Sequence, residues 1–541
     1  MKTQSTYSLT IVTFVVILLC SSTTFADKHN DFLKCLKHEF HNYSSISNLV
    51  YTQTNSSFIT ILQSSIKNLR FSTPTTPKPQ VIITPDHESQ IPPLIFCAKQ
   101  SGLEIRTRSG GHDYEGLSYV SQVPFVIIDL INLSEITVDV ENKTAWVGGG
   151  ATLGSLYYRI AEKSPVLGFP SGLCSSVGVG GHISGGGYGQ LMRKYGLAGD
   201  NVIDARIVNA DGRILDKKSM GEDLFWAIRG GGAASFGVVV AWKVQLVDVP
   251  ETVTIFRKRW TLEQNATQIL HRWQYVAPVA DRDLFIGVTA NRVNTTVVAS
   301  FFSLFLGGAD RLISLMQEQF PELGLAREDC VETRWIQAAV SFAGYPVNTP
   351  PEVLLNRSQV ATVEYHKMKS NYVQTPVPES GFEGVWRYLK EAEPVGKGYI
   401  ILIPYGGKMA EISESATPFP HRAGNLYSFS HYISWGEDEN SGSDSYISWS
   451  RRLYDYLTPY VASNPRSSYL NYRDLDLGVN NVVGETSYAQ ASVWGKKYFK
   501  DNFDRLVKVK TMADPRNFFR NEQSIIPNKS KRNGRLFHVD K

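Results

Sequence analysis

The sequence predicts an α+β protein in two parts: an amino-terminal half of alternating strands and helices, then a half built on an antiparallel sheet with helices on one side. Up to about residue 240, short apolar runs alternate with helical periodicity, and glycine is concentrated between Arg108 and Gly237. After Val240 the strands lengthen and alternate, as in a sheet with one buried face. At 541 residues the chain exceeds one compact core.

Taken in order, Asn30–Phe40 reads as a helix, because Leu33, Leu36 and Phe40 share a face. Pro74–Pro79 is a stiff linker. Gln80–Thr84 is a short strand and Glu88–Ser101 a helix. Glu104–Thr107 and Pro124–Ile131 are strands, the second a nearly continuous apolar run suited to burial on both faces. Thr252–Trp260, Leu284–Thr289 and Thr296–Phe305 are the longer, alternating strands of the second part. Residues 471–541 become turn-rich and aromatic again.

Bulk composition narrows the function. A net charge of +4, with no long Lys/Arg run, argues against a nucleic-acid partner, and Lys529–Arg535 reads as a solvated end. Leu9–Cys20 is apolar but too short to span a bilayer, and Thr24-Phe25-Ala26 ends on a small residue. Residues 1–26 are therefore read as a signal peptide, with a mature chain from Asp27. The expected product is a monomer without a membrane anchor, in the extracellular space or the vacuole. Eight N-x-S/T sequons, at Asn42, Asn55, Asn132, Asn142, Asn265, Asn294, Asn356 and Asn528, agree with that route. Cys35, Cys97, Cys174 and Cys330 remain after the leader, and a secreted chain would by default pair all four. Cys35, His38 and His41 repeat at helical spacing, which explains them better than a metal site.

The chemistry is concentrated in three glycine loops. Arg108-Ser109-Gly110-Gly111-His112 follows a strand, and its paired glycines let backbone N–H groups curl toward an anion, with a histidine emerging beside it. Ser171–Gly189 (SGLCSSVGVGGHISGGGYG) contains eight glycines in nineteen residues, so an extended polar ligand can lie directly on backbone. Arg229–Gly232 (RGGG) is the third. Neither G-x-G-x-x-G nor G-x-x-x-x-G-K-[ST] occurs, which argues against a Rossmann or Walker site.

With these loops the chain resembles the plant berberine bridge enzyme-like flavoproteins, especially their cannabinoid synthase-like branch. The matching stretches are RTRSGGHDYEG (106–116), SSVGVGGHISGGGYG (175–189), SMGEDLFWAIRGGG (219–232), PFPHRAGNLY (418–427), YLNYRDLDLG (469–478) and DPRNFFRNEQSI (514–525). The resemblance implies a vanillyl-alcohol-oxidase, PCMH-type FAD-binding domain with an inserted antiparallel-sheet substrate domain. Its expected boundaries are 27–245 for the FAD domain (family core about 75–249), 246–470 for the substrate domain and 471–541 for a segment returning to the FAD domain. It implies FAD held by two covalent bonds, His112 to the flavin methyl carbon and Cys174 to a ring carbon on the same edge. Cys174 then leaves the disulfide count, Cys35 and Cys97 match the family disulfide, and Cys330 is expected free and buried. Arg108, Ser109, Gly110, Gly111, Val177, Gly178, Gly181, His182, Gly186, Gly187, Val239 and Asn471 would complete the cradle. Val177 matches the position that gates dioxygen, and His182 reads as a hydrogen-bonding support.

Tyr472 matches a family active-site tyrosine, with Tyr114 and Tyr188 near the flavin. A phenol needs a nearby cation or donors to act as a base near neutral pH. Relatives place Lys, Gln or Glu on the strand after HRAGNLY, whereas this chain has Ser428, Phe429, Ser430 and His431. His431 is a substitute base only if it faces the site, and strand alternation sets it opposite Ser428 and Ser430. The expected activity is oxidation of a phenolic or prenylated metabolite, by hydride transfer to flavin and reoxidation by dioxygen to hydrogen peroxide, with cyclisation or diene formation as an accompanying outcome. The alternatives are a non-redox cyclase (an intermolecular Diels–Alderase) that keeps FAD as a scaffold, and a carbohydrate or alcohol oxidase.

Overall fold

A computed structural model describes residues 27–40, 43–358, 363–393 and 397–528. The leader at 1–26, the sequon at Asn42, His41 and the basic end at 529–541 lie outside these.

The amino-terminal half holds two sheets. The first has the order Val50–Thr52, Val81–Ile83, Phe125–Asp129, Glu104–Arg108; its last three strands are parallel. Every residue of Phe125–Asp129 is buried, as its unbroken apolar run requires of a central strand. A helix over 27–39 and the helix Ile91–Gln100 cover this sheet, tied by a disulfide between Cys35 and Cys97. The second helix carries Pro92 and Pro93 in its first turn, where a missing N–H is harmless. The second sheet is antiparallel, ordered Ile136–Asp139, Thr144–Gly148, Gly237–Gln245, Val202–Asn209, Ile214–Leu215. The glycine-rich stretch carries one short helix, Val179–Ser184.

The second half is one seven-stranded antiparallel sheet, ordered Cys330–Thr333, Val253–Thr261, Thr296–Phe305, Leu284–Val293, Gly398–Pro404, Tyr427–Trp435, Tyr365–Val373. Leu284–Val293 outruns the expected end at Thr289 because it forms a full hairpin with Thr296–Phe305, turned at Asn294 with φ +54°. One face buries Phe301, Phe305, Phe429 and Ile433 under the helices Ala266–Val276, Glu379–Glu391 and Ser443–Tyr456. Glu379–Glu391 shows why: Phe382, Val385, Trp386 and Leu389 recur every three or four residues and are all buried, each contributing roughly 2 kcal/mol. The other face, with Phe285, Phe302 and Ile403, is turned toward the glycine loops. Cys330 is buried and unpaired.

The chain end closes the structure. The helices Tyr488–Phe499 and Asn502–Ala513 pack onto the amino-terminal half. Lys510 is fully buried there, donating to Asp514 and to the carbonyls of Ser235 and Phe519. Burial lowers its pKa to about 8, against the pull of Asp514.

Candidate flavin site

A cavity of about 560 Å³ lies between the glycine loops, the seven-stranded sheet and the returning carboxy-terminal segment. Its construction begins with two backbones in contact. A Cβ on Gly110 would sit 2.3 Å from the Gly178 nitrogen, and one on Gly178 would sit 2.2 Å from Ser109 Oγ. Only glycine permits the Ser109–Gly111 and Ser176–Gly178 loops to lie this close. Gly111, at φ +70°, then turns the chain so that His112 joins the cavity wall.

The loop contact brings the two expected tethers together. His112 Nε2 pairs with Ser176 Oγ at 3.1 Å, and Cys174 Sγ lies 3.5 Å from the same hydroxyl. Both His112 and Cys174 line the cavity. Burial, with Lys67 and His366 nearby, pushes the His112 imidazole down to about 3, outweighing the Ser176 contact, so the ring is neutral at physiological pH. With Nε2 paired to Ser176, Nδ1 is the nitrogen left for a further bond.

Ser109, Gly110, Gly111, Val177, Gly178, Gly181, His182, Val239 and Asn471 also line the cavity. A Cβ on Gly181 would meet nothing within 4 Å, so the backbone there faces open space of the kind a cofactor fills. His182 accepts from the Gly172 N–H through Nε2, and its carbonyl accepts from Asn471. Burial lowers its pKa to about 4, so it is a neutral supporting group.

Three expected cradle residues stand behind the wall. Arg108 is fully buried, paired with Asp129 at 2.6 Å and donating to the carbonyls of Ile61 and Leu62. Its charge is consumed within the protein, which corrects its reading as a cofactor contact. Gly186 packs against Phe419, and the Gly187 N–H donates to Tyr469. Their positive φ values, +110° and +76°, shape the loop from outside the cavity.

Tyr114, Tyr188 and Tyr472 converge on the cavity. The ring of Tyr472 meets those of Tyr114 and Tyr188 edge-on, at 5.5 and 5.8 Å, and the hydroxyls of Tyr188 and Tyr472 are in direct contact. Burial first, then the neighbouring phenols, hold Tyr472 well above its ordinary pKa, and Tyr114 and Tyr188 are raised likewise. No cation is among the leading influences on Tyr472, so the three phenols favour their protonated form. His431 does not substitute: its Nε2 pairs with the Ser450 carbonyl in the helix layer, on the far face of the sheet. Ser428 and Ser430 are buried off the cavity wall.

Several groups were not anticipated. Phe285, Thr289, Phe302, Tyr399, Ile401 and Ile403 form the sheet side of the cavity, at alternating strand positions. Arg357 donates to the carbonyls of Gly150 and Ser109, so the inserted half clamps the glycine loops. Ser176, marked in the sequence only as part of the glycine-rich stretch, proves to be the group between the tethers. The alternation of apolar residues on three strands was a signal for the sheet wall; nothing local marks Arg357.

Comparison with known proteins decides the family. Residues 79–217 match the FAD binding domain family, and residues 468–526 match the berberine and berberine-like family. A tetrahydroberberine oxidase of Berberis wilsoniae is 54% identical over 94% of this chain and 96% of its own. The chain belongs to the berberine bridge enzyme-like family. It is an FAD-linked oxidoreductase with the PCMH-type fold. Cannabidiolic acid synthase-like 2 of Cannabis sativa is 49% identical over 93% of this chain and 94% of its own. The structure of berberine bridge enzyme-like protein 28 from Arabidopsis thaliana superposes with a TM-score of 0.87, at 48% identity, covering 92% of this chain and all of that one. The glycine loops fit FAD on their own terms: they offer exposed backbone, open space at Gly181 and a neutral imidazole beside a thiol. Among the described residues no helix is long and apolar enough to cross a membrane.

Proposed function

We propose that this protein is a secretory-pathway oxidase whose FAD is bound covalently through His112 Nδ1 and Cys174 Sγ, acting on an apolar, aromatic specialised metabolite of phenolic or prenylated type. The observation that carries the substrate reading is the cavity wall. Phe285, Phe302, Ile401 and Ile403 dominate its sheet side, with Thr289 and the Tyr399 hydroxyl as the polar groups there. Such a wall excludes water and offers a sugar too few partners for its hydroxyls.

Bound FAD supplies a two-electron acceptor that takes hydride from substrate and passes the electrons to dioxygen, releasing hydrogen peroxide. The protein's residues hold and orient. Tyr114, Tyr188 and Tyr472 keep their protons and donate hydrogen bonds at the substrate end. Val177 is assigned to oxygen access. The carboxylate on the wall, Asp113, is engaged by Arg473 at 3.2 Å, and no lysine is among the described lining residues, so the electron push that expels hydride has to come from the substrate itself, as a phenolate or another lone pair.

The same lack of a base favours a second reading, a non-redox cyclase of Diels–Alderase type, since a pericyclic step needs no proton acceptor. Anaerobic mixing of holo-protein with prenylated phenols, tetrahydroberberine and glucose separates them. Flavin bleaching by a phenol, with one peroxide formed per product on re-aeration, is the expected result. New product with the flavin still oxidised and no oxygen consumed would establish the cyclase instead.

A further inference from the structure

Beside the sheet wall of the cavity stands an arginine that has no acidic partner. Phe302 lies on the cavity wall, and its ring lies across Gly287 on the adjacent strand, where a Cβ would sit 2.4 Å from the ring tip. Glycine inside a strand is unfavourable, and here it makes room for an aromatic ring lying flat. On the other side of Phe302, directly opposite it in register, stands Arg257. Opposed residues in an antiparallel pair share a face, so Arg257 is on the same sheet face as the cavity wall, exposed to solvent at the side of Phe302 and not itself part of the lining. Its guanidinium carbon is 5.7 Å from the Phe302 ring centroid. Arg259, two residues on, shares that face, opposite Ser300.

Among the described residues neither arginine forms an ion pair, whereas Lys258 between them, on the opposite face, pairs with Asp329 at 2.6 Å. Partial desolvation, and then Arg259, lower the Arg257 pKa, with no acid acting in the other direction. Two adjacent guanidinium groups repel each other and favour an anion between or beside them.

We infer that Arg257, supported by Arg259, is a recognition site for an aromatic oxyanion, a carboxylate or phenolate on the substrate, whose apolar body lies against Phe302. This rests on the proposed oxidase reading for its biological meaning, but not for its test. The planar guanidinium over Phe302 can take a carboxylate edge-on while the ring continues the apolar wall. Such a substrate also carries the electron-rich oxygen that the cavity itself lacks.

The test is equilibrium binding to oxidised holo-protein, read from the perturbation of the flavin absorbance, so turnover is not required. The probes are 6-methoxy-2-naphthoate, its methyl ester and 6-methoxy-2-naphthol. The expected result is binding of the acid about tenfold tighter than the ester, the scale of one charge-assisted hydrogen bond. That preference should be lost in Arg257→Gln and largely kept in Arg257→Lys, with the ester's Kd changing less than about twofold. Tightening of the naphthol above its solution pKa, but no preference for the acid, would assign the site to phenolate. Equal binding of all three probes at every pH, a preference that survives Arg257→Gln/Arg259→Gln, or no binding of any probe would overturn the inference. None of these depends on whether the flavin is reduced by substrate, so failure here is distinguishable from failure of the oxidase reading.

Discussion

His112 Nε2 lies 3.1 Å from the Ser176 hydroxyl, and through it the two expected flavin tethers share one group. The contact exists because two glycine loops, 66 to 69 residues apart, meet backbone to backbone. It orients the imidazole so that one nitrogen is engaged and the other is left for the flavin.

The tethers are therefore separable by mutation. His112→Ala and Cys174→Ala should each keep a flavin that survives denaturing precipitation, through the remaining bond, and the double variant should release all of it. Ser176→Ala removes a hydrogen bond worth about 1 kcal/mol and should slow attachment at His112 without abolishing it. Peptide mass spectrometry of the flavin-bearing fragments checks this. Flavin still attached in the double variant would rule out both assignments.

Tyr472→Phe should reduce kcat by about tenfold, the loss of one hydrogen bond to the reacting substrate, with KM moving less. Because burial and the adjacent phenols raise the Tyr472 pKa well above 10, the group stays protonated through neutral pH. A donor in that state gives a kcat that is flat between about pH 6 and 9. A kcat that rose across this range in wild type, and lost the rise in the variant, would show Tyr472 to be a base after all.

Two glycines of the cradle should fail differently. Gly181→Leu places a side chain in open space, so the protein should fold with a normal melting temperature and contain little flavin. Gly110→Ala collides with the Gly178 backbone at 2.3 Å and should yield little folded protein. Expression yield, melting temperature and flavin content measured together distinguish the two. A full flavin complement in Gly181→Leu would mean the cofactor lies elsewhere.

Lys367 holds two active-site segments in register. Its ammonium contacts Glu115 and, at 2.7 Å, Asp474, joining the loop that carries His112 and Tyr114 to the segment that carries Tyr472. All three side chains are at least 96% buried. Lys367→Met leaves carboxylates short of a partner and should cost about 3–5 kcal/mol, seen as a clear fall in melting temperature, whereas Lys367→Arg should recover part of it. The cluster also makes stability pH-dependent. Burial opposes ionisation of Asp476, but Arg451, Lys367 and Lys369 outweigh it and hold its carboxyl well below the ordinary range. A depressed carboxyl stabilises fully above its unfolded pKa of about 3.9, and that contribution is lost as pH falls below it. Asp476→Asn should lower the melting temperature at neutral pH and flatten the acid side of the stability profile. An unchanged acid limb would show that the pair network contributes nothing there.

The sequence by itself determined the two-part α+β organisation and the glycine loops that carry His112 and Cys174. These are local properties: apolar period distinguishes buried from one-sided strands, and only a loop rich in glycine can present bare backbone to a ligand. It also determined that His431 would face away from Ser428 and Ser430, since strand alternation has a fixed period of two. What only the tertiary structure decided are relations between distant segments. Arg108 looked like part of the cradle until Asp129 and two carbonyls were seen to use its charge. That Tyr472 is ringed by other phenols, which favour its protonated form, was decided by the fold. Ser176, Arg357 and Lys367 acquired their parts through contacts across dozens or hundreds of residues. Hydrogen bonds and charge pairing act over a few ångströms of space and have no fixed separation along the chain, so no periodicity in the sequence can announce them.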